Sequence, residues 1–180
     1  MKSAYIFLAN GFEEIEALTV VDLLRRAEVN VSMVSVTGKK TVHGAHKIDI
    51  LADILFEELL GEVDMLILPG GGSGTRTLMA HRELGKLLMN YDKQGKYLAA
   101  VCAAPSVYGI LGLLQGKKAT CYPGWEENLH GAMVIDEKVV EDQNIITSKG
   151  PGTSMEFALC LIKKLCGEAK AKQIRNELLY

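Results

Sequence analysis

The segment from Lys96 to Gly112, which reads KYLAAVCAAPSVYGILG, constrains the fold more than any other part of the chain. Its residues 97–101 form a short apolar run, which is typical of a buried strand in a parallel sheet. Pro105 suits the first turn of a helix, because proline has a fixed φ and no N–H to lose. The spacing of apolar residues predicts that this helix continues to Leu114. Cys102 then lies where a strand turns sharply into a helix, which is a nucleophile elbow with cysteine in place of serine.

A cysteine at this corner has two interpretations. Free cysteine is among the most buried residue types and often behaves as a small apolar side chain. A helix N-terminus, on the other hand, stabilises a nearby anion and lowers the pKa of a thiol placed beside it. On the functional interpretation, the pKa of Cys102 is expected to be lowered, so that thiolate is present at neutral pH.

The rest of the chain alternates predicted strands with predicted helices, and no repeat, linker or low-complexity segment interrupts it. We therefore expect one domain over residues 1–180 with a doubly wound α/β fold. The predicted strands are 4–8, 29–36, 65–68, 97–101, 118–121, 133–135, 139–141 and 145–148. The predicted helices, besides the one after Cys102, are 13–26, 54–60, 84–89, 153–165 and 169–180. A small hairpin is predicted at 41–50.

Composition and charge argue against several classes of partner. The formal net charge is −2, so nothing favours binding to nucleic acid or to an anionic membrane surface. No apolar run approaches the roughly 20 residues that a helix needs to cross a bilayer. The cysteines are scattered and match no metal-binding pattern, so we expect neither a metal site nor disulfides. A reducing, cytoplasmic location is expected from this cysteine usage.

Three segments follow predicted strands at their carboxyl ends, where sites in such sheets lie. They are 10–16, 69–74, and Cys102 with Ala103. The glycine-rich PGGGSG loop lacks the Lys-Ser/Thr of a P-loop, so phosphate binding is its weaker interpretation. Gly71 is better suited to donate its N–H. Because it has no Cβ, its backbone can approach the thiol and form an oxyanion hole with the N–H of Ala103.

The first of these segments carries three carboxylates. Glu13 and Glu14 are interpreted as solvated charges at a helix start, where the helix dipole favours them. Glu16 lies about one turn from apolar Phe12 and Val20, so its side chain is expected to point inward. Burial would raise the pKa of Glu16 and let it donate a hydrogen bond to a thiolate or shuttle a proton. The histidines are predicted to be surface residues rather than catalytic bases: His43, His46, His81 and His130.

Four motifs in a fixed order resemble one known family. The loop ANGFEEIEA, the run LILPGG, the elbow AAVCAAP and the late segment TSKGPGTSMEFAL are spread from Tyr5 to about Leu165. Together they resemble the ThiJ/PfpI superfamily in its DJ-one-like branch. No single motif is specific, but their joint order is.

The resemblance implies a flavodoxin-like three-layer sandwich with a mostly parallel central sheet, assembled as a homodimer without a cofactor. It implies that Cys102 is a reactive, easily oxidised thiolate and that Glu16 is its protonated partner. The oxyanion donors would be the N–H groups of Gly71 and Ala103. The pocket would be completed by further residues, of which the last two approach the neighbouring subunit's pocket: Gly70, Tyr122, Gly150 and Pro151.

Two positions depart from relatives of this family. Many relatives carry a histidine shortly after the elbow helix, where this chain has Tyr122, so a mechanism that depends on that histidine is in doubt. The protease-like branch follows its cysteine with histidine, whereas Ala103 follows Cys102 here. A peptidase activity is therefore not expected.

The resemblance implies a glutathione-independent glyoxalase or protein deglycase, of hydro-lyase or hydrolase type. Its substrate would be a small aldehyde such as methylglyoxal, or a glycated protein, and its product from methylglyoxal would be lactate. The alternative is a cysteine-based sensor of oxidative stress, or a redox-regulated chaperone, without turnover. Both functions need the same reactive thiol, so the sequence does not separate them.

Overall fold

A computed structural model describes the whole chain, residues 1–180, and contains eleven strands and six helices. The strands are β1 Ser3–Leu8, β2 Asn30–Ser35, β3 Thr41–His43, β4 Asp49–Leu51, β5 Ile54–Leu55, β6 Met65–Leu68, β7 Tyr97–Val101, β8 Lys118–Ala119, β9 Met133–Val134, β10 Val139–Asp142 and β11 Ile145–Ser148. The helices are α1 Glu14–Arg26, α2 Gly72–Ala80, α3 Arg82–Lys93, α4 Pro105–Ile110, α5 Ser154–Cys166 and α6 Glu168–Glu177.

The central feature is a seven-stranded sheet with the order β10-β11-β7-β6-β1-β2-β5. Its strands pair in parallel, except that β10 pairs with β11 in the antiparallel sense. The middle strands are apolar because helices cover both faces: every residue of β6 is buried. On one face α1 and α5 contribute Val20 and Phe157 to the core, and on the other face α3 and α4 contribute Leu88 and Tyr108. The fold is therefore the expected flavodoxin-like α/β sandwich.

Several predicted elements differ from the structure, either in type or in where they begin and end. The predicted helix at 54–60 is wrong: β5 pairs with β2, and only the 3₁₀ turn Phe56–Glu58 follows it. The predicted loop at 69–74 is partly wrong, because α2 begins at Gly72. The elbow helix ends at Ile110 rather than Leu114, since Gly112 has a left-handed φ of 74° that ends helical geometry.

The predicted hairpin is confirmed, and it packs against the loop after β1. β3 and β4 pair in the antiparallel sense, Gly11 N–H donates to His43 O at 2.7 Å, and Ala45 N–H donates to Phe12 O at 2.9 Å. The hairpin therefore packs against the loop after β1, which is one of the three segments at the carboxyl ends of the strands. None of the helices combines the length and the apolar character that spanning a membrane requires.

The elbow helix α4 is packed tightly on its outer side. A Cβ added to buried Gly109 would lie 2.7 Å from Leu129 Cα and 2.8 Å from His130 N, both backbone atoms. Because a real Cβ does not approach backbone so closely, only glycine fits at position 109, where α4 contacts the turn at Leu129 and His130. This contact joins α4 to the segment between β8 and β9.

We predict that Gly109→Ala destabilises the fold, by about 1–3 kcal/mol as for other overpacked sites. Gly85→Ala is the matched control, since Gly85 also lies in a helix but its added Cβ would meet only Leu111 Cδ2, at 3.4 Å. This control should be neutral, or more stable by up to about 1 kcal/mol through helix propensity. Urea unfolding followed by circular dichroism measures both. Equal stability of the two variants would contradict the packing argument.

Candidate active site

The carboxyl ends of β1, β6 and β7 are neighbours in the sheet, and the candidate site lies where they end. The loop after β1 carries Glu13, the loop after β6 carries Gly70 and Gly71, and Cys102 follows β7 directly. Glu13 N–H donates to Gly70 O at 3.0 Å, which ties the first two loops together. The three segments predicted from the sequence therefore meet at one edge.

Cys102 has the strained backbone of an elbow. Its φ is +64°, a left-handed conformation that costs a non-glycine residue of order 1–3 kcal/mol. Its N–H donates to Ser148 O at 2.9 Å, and its carbonyl accepts from Tyr122 N–H at 2.8 Å. Pro105 occupies the first turn of α4, as predicted, so the chain leaves the corner directly into a helix. This geometry presents a half-buried thiol at the end of the strand.

Two backbone N–H groups, those of Gly71 and Ala103, face the sulfur of Cys102 and act to lower the pKa of its thiol. Gly71 has a φ of +92°, and a Cβ there would lie 2.8 Å from Glu13 N. A Cβ on Gly70 would lie 2.5 Å from Cys102 Cβ and 2.6 Å from Glu16 Oε2. Glycine at both positions is what lets the loop approach the thiol.

Glu16 is completely buried beside the thiol. Its Oε2 accepts from Gly70 N–H at 2.8 Å, and it shares the space beside Gly70 with the Cys102 sulfur, since a Cβ on Gly70 would lie 2.6 Å from Oε2 and 3.0 Å from Sγ. Its other oxygen, Oε1, is buried without a hydrogen-bond partner. Burial raises the pKa of Glu16 to about 7, against the lowering effect of the Gly70 N–H and the Cys102 thiol.

The expectation of a lowered thiol pKa is wrong. Burial, followed by the negative charge of Glu16, raises the pKa of Cys102 to about 12, although the N–H groups of Gly71 and Ala103 act in the opposite direction. The expectation relied on the helix N-terminus and on a protonated Glu16, whereas an ionised Glu16 beside the sulfur raises the pKa of the thiol. Because the two acids repel each other's charge, they lose protons as a pair. Glu16 loses its proton before Cys102 does, so the first negative charge of the pair lies on the carboxyl group.

The interpretation of Glu14 as a solvated helix cap is also wrong. Glu14 is only 4% exposed, and its Oε1 accepts from His46 N–H at 2.7 Å. Its Oε2 lies 3.0 Å from Nδ1 of the exposed His46 ring, and Ile48 N–H approaches Oε1 at 3.4 Å. These hydrogen bonds outweigh the effect of burial and lower the pKa of Glu14. Glu14 thus fastens the β3–β4 hairpin to α1.

Glu13, Glu14 and His46 are the one group of side chains whose ligand atoms lie close enough to hold a metal ion, within 4.8 Å of one another. Both oxygens of Glu14 already bind the hairpin, however.

His81 caps α3 by accepting from Leu84 N–H at 3.1 Å, and His43 pairs with Asp49 at 2.7 Å. No histidine therefore joins Cys102 and Glu16.

Of the residues expected to complete the pocket, Gly70 lies beside the thiol, and the other three lie at the mouth. The Tyr122 ring is 3.1 Å from the position of a Cβ on Gly150, and Glu16 Oε1 is 4.0 Å from the same position. Tyr122, Gly150 and Pro151 line a shallow surface pocket of about 230 Å³. The structure thus brings together the inner pair and this outer wall.

The mouth has a second wall, which was not predicted from the sequence. Arg76 lies over the ring of Trp125 with its guanidinium carbon 5.6 Å from the ring centroid, and both side chains lie 3.8 Å from the position of a Cβ on Gly72. This wall was not predicted because residues 72–74 were expected to form a loop. Arg76 is directed toward Trp125 only when a helix begins at Gly72.

The sheet and the elbow define a class: an α/β sandwich with a cysteine nucleophile elbow and a carboxylate partner, without histidine. The model of the DJ-1/PfpI family matches residues 2–164, and the chain belongs to that family. Protein DJ-1 homolog B of Arabidopsis thaliana is 39% identical over 99% of this chain, which spans only 41% of that protein. The glutathione-independent glyoxalase DJR-1.2 of Caenorhabditis elegans is 32% identical over 98% of this chain and 96% of its own length. The structure of oxidized Toxoplasma gondii DJ-1 superposes with a TM-score of 0.96 at 35% identity, and covers 100% of this chain and 99% of its own.

The raised pKa of Glu16 predicts a penalty on stability at alkaline pH. Its pKa is 4.5 unperturbed and about 7 in the fold, so the folded state favours the protonated acid. That contribution is complete below pH 4.5 and is lost as pH rises through 7, a change of about 3 kcal/mol. Glu16→Gln cannot titrate at this position. The difference in unfolding free energy between this variant and the wild type should therefore shift in favour of the variant by about that amount between pH 4.5 and pH 8.

Urea unfolding at both pH values measures this difference. Glu14→Gln is the control on the same helix. Because the pKa of Glu14 is lowered in the fold, the unfolding free energy of this variant should fall relative to that of the wild type as pH rises. A difference between Glu16→Gln and the wild type that does not change with pH would contradict the buried, titrating Glu16.

Proposed function

We propose that the chain is a cofactor-independent glyoxalase that converts 2-oxoaldehydes, such as methylglyoxal, to 2-hydroxy acids. The same addition step on glycated side chains would make it a deglycase. One observation carries the proposal: the fully buried carboxyl group of Glu16 lies beside the Cys102 thiol, next to two N–H groups that face the sulfur. The C. elegans relative named as a glutathione-independent glyoxalase supports it.

The first step uses the pair as a proton-transfer unit. Glu16 as carboxylate accepts the Cys102 proton, and the resulting thiolate adds to the aldehyde carbon. The carbonyl oxygen gains negative charge as the C–S bond forms. The N–H groups of Gly71 and Ala103 lie beside the sulfur, where they can stabilise that oxyanion. A proton from Glu16 then completes the hemithioacetal, and the net charge of the site has not changed.

The second step is an internal redox reaction. Glu16 takes the C–H proton of the hemithioacetal to form an enediol and returns a proton to the neighbouring carbon. The former aldehyde carbon is oxidised to a thioester and the former ketone carbon is reduced to an alcohol. Water then cleaves the thioester, releasing the 2-hydroxy acid and the thiol. The unpartnered Oε1 of Glu16, which faces the Gly150 wall, is free for this second proton transfer.

The proposal includes one domain over residues 1–180 and assembly as a homodimer in a reducing, cytoplasmic compartment. α1 and the β3–β4 hairpin leave apolar side chains exposed that a second copy would cover, with Ile15 56%, Ile48 52% and Leu51 68% exposed. Gly150 and Pro151 would approach the neighbouring subunit's pocket. Tyr122 would line the pocket in place of a histidine.

We predict that Cys102→Ser and Glu16→Gln each lower turnover of methylglyoxal by about 100-fold or more, since each removes a member of the proton-transfer pair. The measurement is lactate formation without glutathione. Cys160→Ser is the control, because Cys160 lies on α5 and donates to Glu141 at 2.9 Å, outside the site. In the wild type, kcat/KM should rise with pH to a midpoint near 7, where the pair loses its first proton. Wild-type rates in either site variant would exclude this mechanism.

A second candidate function is a sensor of oxidants, or a chaperone regulated by oxidation, without turnover. Its support is the same pair of N–H donors and the buried Glu16, which could hold the oxygen atoms of an oxidised sulfur. The oxidized structure of T. gondii DJ-1 makes oxidation in this fold worth testing. One hydrogen peroxide oxidises the thiolate to sulfenate and leaves water, and a second gives sulfinate.

For this function we predict that mild peroxide adds oxygen to Cys102 before any other cysteine, because Cys102 is half-buried with two N–H groups facing its sulfur, whereas Cys121 is buried and has only the N–H of Trp125. Intact-mass measurement followed by peptide mapping checks the site, and Cys102→Ser should take up no oxygen under the same conditions. Oxidation of Cys160 or Cys166 ahead of Cys102 would count against sensing at this site.

A further inference from the structure

Arg76 is an exposed cation without a carboxylate partner. Its guanidinium lies over the Trp125 ring, 5.6 Å from the centroid, and takes part in no ion pair or side-chain hydrogen bond. Glu126, the acid next to Trp125, instead accepts from Gly124 N–H at 2.7 Å. Stacking on an aromatic face restricts the guanidinium while leaving its edge donors free.

This cation borders the mouth of the candidate site. The N–H of Gly71 faces the Cys102 sulfur. The position of a Cβ on the next residue, Gly72, is 3.8 Å from Arg76 Nη1 and 3.8 Å from Trp125 Cζ2. From the other side, the turn that carries Trp125 is attached to the elbow. Trp125 N–H donates to Tyr122 O at 3.1 Å, and Tyr122 N–H donates to Cys102 O at 2.8 Å.

Charge also favours an anion at this wall. The inner pair carries one negative charge, so a positive group at the mouth is needed if a negatively charged substrate is to approach. Gly72 and Ser73 are exposed at the start of α2, and their N–H groups have no acceptor in the protein, which adds to the positive potential there. A planar guanidinium matches the two oxygens of a carboxylate.

We propose that Arg76, held on Trp125, is a specificity-determining residue that binds the carboxylate of a 2-oxoaldehyde substrate. The chain then prefers 2-oxoaldehydes with a terminal carboxylate over neutral ones of the same length. This inference rests on the proposed glyoxalase function. For the probe 4,5-dioxopentanoate, water is added, the aldehyde carbon is oxidised, the ketone carbon is reduced, and 2-hydroxyglutarate leaves. No external oxidant or reductant is needed.

The test compares 4,5-dioxopentanoate with neutral 2-oxopentanal in the wild type and in Arg76→Gln. The variant should lose about tenfold in kcat/KM for the carboxylate substrate, chiefly through KM, as expected for one charge-assisted contact. Its kcat/KM for 2-oxopentanal should fall much less, because that substrate has no carboxylate for Arg76 to bind. Arg82→Gln is the matched control, since Arg82 is also exposed and the variant has the same net charge. An equal loss for both substrates, or no loss for either, would overturn the assignment.

A second measurement does not require turnover. Unreactive 4-oxopentanoate should slow the alkylation of Cys102 by iodoacetamide in the wild type and much less in Arg76→Gln, whereas neutral 2-pentanone should act equally on both. If the wild type converts no 2-oxoaldehyde but this protection depends on Arg76, the glyoxalase proposal fails and the carboxylate site stands. If turnover is found without any preference for the carboxylate, the site fails and the glyoxalase proposal stands.

Discussion

Two main-chain hydrogen bonds hold the corner at Cys102, and the geometry of the site depends on them. Ser148 O on β11 accepts the N–H of Cys102, and Tyr122 N–H donates to its carbonyl. They support a φ of +64° that a cysteine in a free chain would rarely adopt. Because both partners are backbone atoms, sheet register sets the direction of the thiol, independently of which side chains surround it. The sulfur is thereby placed against the N–H groups of Gly71 and Ala103.

In the proposed mechanism, the reactivity of this corner depends on proton transfer between Cys102 and Glu16, which differs from the usual picture of an acidic cysteine. α4 begins with Pro105 and spans six residues, so its dipole is small, while Glu16 lies fully buried against the sulfur. A carboxylate with a pKa near 7 can receive the thiol proton and return it, which is the role that histidine has in many cysteine enzymes. The same burial makes ionised Glu16 a cost to folding, so function and stability oppose each other at this residue.

Local patterns predicted the sheet and the elbow well, because they report on single segments. The apolar runs at β1, β6, β7 and β11 and the position of Pro105 each follow from a few neighbouring residues. Features that depend on distant pairs were not accessible in this way. Glu14 binds His46, which is 32 residues away, and the pKa of Cys102 depends on Glu16, which lies on α1. The start of α2 was missed because a glycine-rich composition resembles a loop even where the backbone is helical.

The glycine floor of the site has a consequence for how members of this fold can diversify. No side chain fits at Gly70 or Gly71 without displacing backbone or the thiol itself, so the inner half of the pocket cannot be remodelled by point substitution. At Gly72, by contrast, a Cβ would meet nothing nearer than 3.8 Å. Inherited variation, or a laboratory library, can therefore alter the rim freely while the reacting centre stays constant. With such a division the substrate preference can change while the reaction stays the same, so new substrates can be accepted without new chemistry.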